Sequence, residues 1–146
     1  MKPIIKVIIP AYNEADSIPH VIKDIPDIVD EVIVVSNNST DDTEANAKNA
    51  GATVLVENRK GYGYACLKGM DYISEQTKKP DIIVFLDGDY SDYPEELIHL
   101  IDPIINAIIA KNNNKWYPIT HLPWFFKFSE NPSLILNNQN LKLENF

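Results

Sequence analysis

The chain has 146 residues, 45% of them apolar, and a net charge of −8. That is enough chain for one domain with a real core, and it is too acidic for a nucleic-acid binder relying on broad attraction to phosphates. The single cysteine, Cys66, excludes an intrachain disulfide framework and suits a reducing compartment. Neither a signal-peptide core before Lys6 nor a bilayer-length apolar stretch is evident, so the expected location is cytoplasmic, with peripheral attachment to a membrane surface left open.

Ile4 to Ile9 reads as a short apolar strand ended by Pro10. Pro10-Ala11-Tyr12-Asn13-Glu14 is a loop, after which Asp16 or Ser17 caps a helix with Pro19 in its first turn. Ile18, Val21, Ile22 and Ile25 form that helix's apolar face. The second strand, Glu31 to Ser36, runs into the polar loop Asn37-Asn38-Ser39-Thr40-Asp41-Asp42. Ser39 with Asp42 three residues later fits a capping box for a helix through Ala45, Ala47 and Ala50, which Gly51 ends.

Thr53 to Val56 is a third strand. Asn58-Arg59-Lys60-Gly61-Tyr62-Gly63 then leads into a helix through Ala65, Leu67, Met70 and Ile73. The fourth strand is the run Ile82-Ile83-Val84-Phe85-Leu86, apolar enough to be buried on both faces, and it stops at Asp87-Gly88-Asp89. Ser91 to Glu96 has the proline and acids of a helix start. Strands alternating with helices predict an α/β fold, a mainly parallel sheet with flanking helices and right-handed crossovers. Ligands of such sheets bind beyond the carboxyl ends of the strands, where all four polar loops fall.

Composition changes character near Asn106: the glycines stop at Gly88, and asparagines and aromatics cluster. Residues 1–105 are therefore expected to form the folded domain, and residues 106–146 an atypical, loosely packed tail. Trp116, Trp124, Phe125, Phe126 and Phe128 follow no helical period; an interfacial membrane anchor is the alternative for them.

The chemistry concentrates at Asp87 and Asp89. If the chain is still extended there, side chains two apart point the same way and the carboxylates converge. Converging carboxylates raise each other's pKa unless a cation lies between them, and a hard divalent ion such as Mg2+ or Mn2+, shared with phosphate oxygens, is the natural occupant. The same residues also suit an ordinary polar exit from a strand, and spacing alone leaves both readings open. Arg59-Lys60-Gly61-Tyr62-Gly63 offers two cations and close backbone approach at a helix start, which suits a phosphate. It is a poor dinucleotide fingerprint, because Cys66 stands at the third glycine and the motif follows the third strand rather than the first. Glu14, Asn37 and Asn38 are hydrogen-bonding groups of the kind that hold a base or ribose, and equally of the kind that cap turns. Tyr62 and Tyr64 flank Gly63; packing is their expected role, and stacking on a sugar or base the alternative. His20, His99 and His121 share no metal-ligand spacing and read as structural.

These motifs carry a resemblance. Val7-Ile8-Ile9-Pro10-Ala11-Tyr12-Asn13-Glu14 resembles the opening motif of the family 2 glycosyltransferases, and Asn37 to Thr43 resembles their second loop. Gly61-Tyr62-Gly63-Tyr64-Ala65 with Gly69-Met70 is similar to the branch of dolichol-phosphate mannosyltransferases and other polyprenyl-phosphate transferases. Leu86-Asp87-Gly88-Asp89 falls on the D-x-D motif, and the match covers about residues 4–105. The resemblance implies a nucleotide-diphospho-sugar transferase fold of the GT-A type, using Mg2+ or Mn2+ to transfer a hexose from a UDP- or GDP-sugar. A polyprenyl phosphate at a membrane surface is one acceptor it suggests.

By the same resemblance, Pro10, Ala11, Tyr12 and Glu14 line the nucleotide pocket, Asn37 lies near the base, and Lys60 and Gly61 lie toward the phosphates. Asp87 faces ribose or metal, and Asp89 is the catalytic metal ligand. Two positions depart from the pattern: Ser36 replaces the aspartate that usually opens the second loop, and Ser91 replaces a glutamine common in the mannosyltransferase branch. Nothing after about Ile105 resembles the family's acceptor half, so a truncated or frameshifted chain is expected, and with it a noncatalytic nucleotide-sugar binding module as the alternative function. A sugar-phosphate nucleotidyltransferase would need a glycine-rich, arginine-containing loop where Pro10 to Glu14 stands.

Overall fold

The structure, a computed structural model, describes residues 2–112 and 134–136, with side chains described up to residue 106. Five strands, β1 (Ile5–Ala11), β2 (Glu31–Ser36), β3 (Thr53–Val56), β4 (Ile82–Phe85) and β5 (Leu134–Leu136), form one sheet in the order β3-β2-β1-β4-β5. Every pairing is parallel. Four α-helices connect them: α1 (Ile18–Asp24), α2 (Thr43–Asn49), α3 (Tyr62–Glu75) and α4 (Leu97–Asn112), the last preceded by a 3-10 turn at Pro94–Glu96. Among the described residues no helix is long and apolar enough to cross a membrane.

Period-2 alternation splits the sheet's side chains between two cores. Val7, Ile9, Val34 and Val84 face α1, α2 and α4, meeting Ile18, Val21, Ala47, Leu97, Ile101 and Ile104. Ile8, Ile33, Val35 and Ile83 face α3, meeting Ala65 and Ile73. The α3 helix buries Ala65, Gly69 and Ile73, while Leu67 is 53% exposed. The reason is closeness. A Cβ at Gly69 would lie 2.7 Å from Ile8 Cγ2, so the face against the sheet is the one with the small residues.

The bounds of β2 and β3 agree with expectation, but Pro10 does not end β1: Pro10 and Ala11 continue it opposite Val35 and Ser36. Alternation along β1 explains why proline is tolerated. The Ala11 carbonyl accepts from the Asn37 N–H on the β2 side, and the Ile8 carbonyl accepts from the Leu86 N–H on the β4 side. Pro10, two beyond Ile8, faces the β4 side where that ladder has already stopped at Phe85, so its missing N–H is not needed.

Helix ends also differ. Gly51 (φ 97°) closes α2 in a Schellman arrangement, with Ala52 N–H donating to Ala47 O and Gly51 N–H to Lys48 O. The expected capping box of Ser39 and Asp42 does not form, because Asp42 makes no side-chain cap and Ser39 Oγ instead accepts from Asn13 N–H at 3.1 Å. Ser17 is the N-cap residue of α1 without capping it; its hydroxyl lies 2.8 Å from Gly88 O and 2.7 Å from Glu14 Oε2.

After Asn106 the chain continues in α4 to Asn112, and β5 adds to β4. The aromatic residues Trp116, Trp124, Phe125, Phe126 and Phe128, with His121, lie outside the described residues.

Candidate functional site

Chain direction along the sheet reverses at β1. The strands run outward through β2 to β3, and the chain then returns to place β4 on the other side of β1. Loops diverge at such a switch point and leave a crevice beyond the carboxyl ends of the strands. Here it is a cavity of about 320 Å³ lined by Pro10, Ala11, Tyr12, Glu14, Asn37, Tyr62, Ala65, Asp87, Gly88 and Asp89.

Seven expected site residues therefore meet: Pro10, Ala11, Tyr12, Glu14, Asn37, Asp87 and Asp89. Lys60 and Gly61 do not line the cavity. The Gly61 N–H points to Asn37 Oδ1 at 2.8 Å, and Lys60 before it is exposed. Arg59, the other expected phosphate cation, is engaged by the chain itself. It forms a bidentate pair with Glu57 (Nε–Oε1 2.9 Å, Nη2–Oε2 2.8 Å) and covers the Tyr64 ring at 4.6 Å. That pairing pulls the Glu57 carboxyl down to about 2.

Tyr62 was expected to pack, with stacking on a sugar or base as the alternative. It lines the cavity, and its hydroxyl donates to Asp87 Oδ1 at 3.2 Å. The available signal was its place at a helix start beside a positive-φ glycine (Gly61, φ 136°), one turn from Ala65. Burial raises the Cys66 thiol on the next turn to about 11, so it stays protonated at neutral pH.

The two aspartates are not in an extended strand, since β4 ends at Phe85 and Tyr90 takes a positive φ of 63°. They share the cavity but differ in character. Burial pushes the Asp87 carboxyl above its usual range; Asp92 and Asp89 add to the rise, and Tyr62 opposes it. Asp89 goes the other way. The Ser91 hydroxyl and the Ser91 N–H, 2.9 Å from Asp89 Oδ1, hold it below its usual range. Mutual repulsion is thus a minor cause, and Ser91 acts as a donor to Asp89. One exposed carboxylate held below its usual range, sharing a cavity with one that burial raises, fits a hard divalent cation. Among the described residues no three His, Cys, Asp or Glu side chains are grouped to hold an ion.

Ser36, at the position of the missing aspartate, is fully buried and donates to Glu44 Oε1 at 2.9 Å, away from the cavity lining. Gly69, one of the residues suggesting the polyprenyl-phosphate branch, is accounted for by its contact with Ile8.

The model of glycosyl transferase family 2 matches residues 6–136 of the chain. The chain belongs to glycosyl transferase family 2. An uncharacterized glycosyltransferase of Mycobacterium tuberculosis is 46% identical over 122 residues, which are 82% of this chain and 52% of that protein. Glucosyl-3-phosphoglycerate synthase of Mycolicibacterium paratuberculosis is 35% identical over 116 residues, 70% of this chain and 34% of the synthase. The crystal structure of the M. tuberculosis synthase with Mn2+, UDP-glucose and phosphoglyceric acid superposes with a TM-score of 0.60 at 34% identity, over 70% of this chain and 40% of that one. The family 2 chain has the α/β architecture of these GT-A enzymes, and it spans about half the length, or less, of these relatives.

Proposed function

We propose that this family 2 chain binds a nucleoside-diphosphate hexose in the cavity at the β1/β4 switch point and forms the donor side of a hexosyltransferase. The observation that carries the proposal is the unlike pair Asp87 and Asp89 in one cavity with the Pro10–Glu14 loop. Asp89, ionised and exposed, is the principal ligand of a Mg2+ or Mn2+ ion. Asp87, steadied by Tyr62, shares that ion or accepts from a ribose hydroxyl.

A bound divalent cation neutralises the negative charge that grows on the diphosphate as it leaves the sugar. Ser91 donates to Asp89 and holds its carboxyl below the usual range. Tyr12, 57% exposed, offers its ring face to the nucleoside, and Glu14 its carboxylate to a hydroxyl. Lys60 is long and exposed, and turns toward the phosphates once a donor is present.

Support for a UDP-sugar comes from the solved synthase complexes with UDP and UDP-glucose. Their phosphoglyceric acid supports a small phosphorylated acceptor. A polyprenyl phosphate rests on the resemblance around Gly61 to Ala65 and is the weaker of the two readings, since packing explains Gly69.

Calorimetric titration with UDP-glucose and a GDP-hexose, with and without Mn2+, tests the proposal. Binding is expected to need the metal and to weaken at least about a hundredfold in Asp89→Ala, which removes a charged ligand to the ion. Metal-independent binding that survives the substitution would overturn it.

A further inference from the structure

We propose that Asn37 is a positioning residue, folding the segment between β3 and α3 into one wall of the cavity. Its carboxamide makes three hydrogen bonds, all to this segment's backbone. Nδ2 donates to Glu57 O at 2.9 Å and to Arg59 O at 2.7 Å, and Oδ1 accepts from Gly61 N–H at 2.8 Å. An asparagine side chain has two donor hydrogens and two acceptor lone pairs, so three of four capacities are in use and both donors are gone.

What Asn37 holds matters to the cavity. Gly61, fixed through its N–H, takes a φ of 136° that only glycine adopts readily, and α3 begins at the next residue. Tyr62 and Ala65 on the first turn line the cavity, and Tyr62 touches Asp87. One buried amide at the end of β2 thereby sets a wall built by another element. Aspartate has the same shape and could still accept from Gly61, but it would press a carboxylate against the Glu57 and Arg59 carbonyls. This is a chemical reason for asparagine at this position.

The neighbouring side chains behave in the same way. Asn38 Nδ2 donates to Asn58 O at 2.8 Å. Ser39 Oγ, Asp41 Oδ2 and Thr43 Oγ1 accept from the N–H groups of Asn13, Ala15 and Glu14 at 3.1, 3.1 and 2.8 Å. The loop after β2 is a clamp on the two loops beside it.

The link to binding rests on the donor-cavity reading, whereas the clamp itself does not, and the test separates them. Trypsin sites at Arg59 and Lys60 lie within the held segment. Asn37→Asp and Asn37→Ala are expected to be cut there at least about tenfold faster than wild type, because up to three hydrogen bonds are lost. Both should also bind UDP-glucose with Mn2+ at least about tenfold more weakly. Cutting at the wild-type rate would overturn the clamp. Faster cutting with unchanged UDP-glucose affinity would overturn its link to the cavity, and a wild type that binds neither UDP-glucose nor a GDP-hexose would overturn the donor reading instead. If the variants unfold throughout, amide exchange in the wild type decides: the Gly61 N–H should be protected at least about tenfold over that of Gly63, and equal exchange rates would overturn the clamp.

Discussion

Two loops at the same sheet edge look alike in composition and do opposite things. The stretch from the end of β2 to the start of α2 carries Ser36, Asn37, Asn38, Ser39, Asp41 and Thr43, and each of these side chains has a partner within the chain. The loop after β4 is longer. It places Asp87 and Asp89 at the cavity with one phenol and one serine as donors between them. A polar residue that holds its own backbone has little left to offer a ligand. A carboxylate with several acceptor sites and few donors has much left. The contrast shows that the count of unused hydrogen-bonding capacity, more than polarity or motif membership, separates clamp from site.

Thr43 gives the largest stability effect by which to challenge the clamp. Its buried hydroxyl accepts from Glu14 N–H and bonds Asp41, so Thr43→Val leaves that N–H unpaired at nearly constant shape. Urea unfolding should show a loss of about 1–3 kcal/mol. An unchanged midpoint would mean that the loop after β1 stands without its neighbour.

A smaller, pH-dependent effect belongs to Glu57. Its carboxyl sits near 2 in the fold against an ordinary 4.5, because Arg59 donates to it. A depressed carboxyl stabilises the fold above about 4.5 and loses that contribution as pH falls toward about 2. Melting temperature should therefore fall more steeply across that window in wild type than in Glu57→Gln. Parallel curves would contradict the pairing.

Much of this was legible in the sequence for physical reasons. The bounds of β2 and β3 follow from branched apolar runs with polar flanks, and Gly51 marks a helix end because few residues tolerate its φ. The carboxyl-edge location of the site follows from strand–helix alternation alone. Other features depend on partners far along the chain, which local patterns do not carry. Pro10 stays within β1 only because β4 stops early. Ser39 fails to cap α2 because Asn13, 26 positions away, takes its oxygen. Arg59 reads as a phosphate cation until Glu57 is found folded back onto it. Tyr62 enters the site because Gly61 turns the chain toward Asn37.

The central claim is that the carboxylates with acceptor capacity to spare at the cavity take the metal and those that hold neighbouring loops do not. Mn2+ binding followed by electron paramagnetic resonance, with UDP present, tests it on wild type, Asp89→Asn and Asp41→Asn side by side. Asp41 is an exposed carboxylate as well, but it is engaged by Ala15 and Thr43. The account predicts that Asp89→Asn loses Mn2+ binding by at least about a hundredfold while Asp41→Asn stays within about threefold of wild type. Retained binding in Asp89→Asn, or an equal loss in both variants, would contradict it.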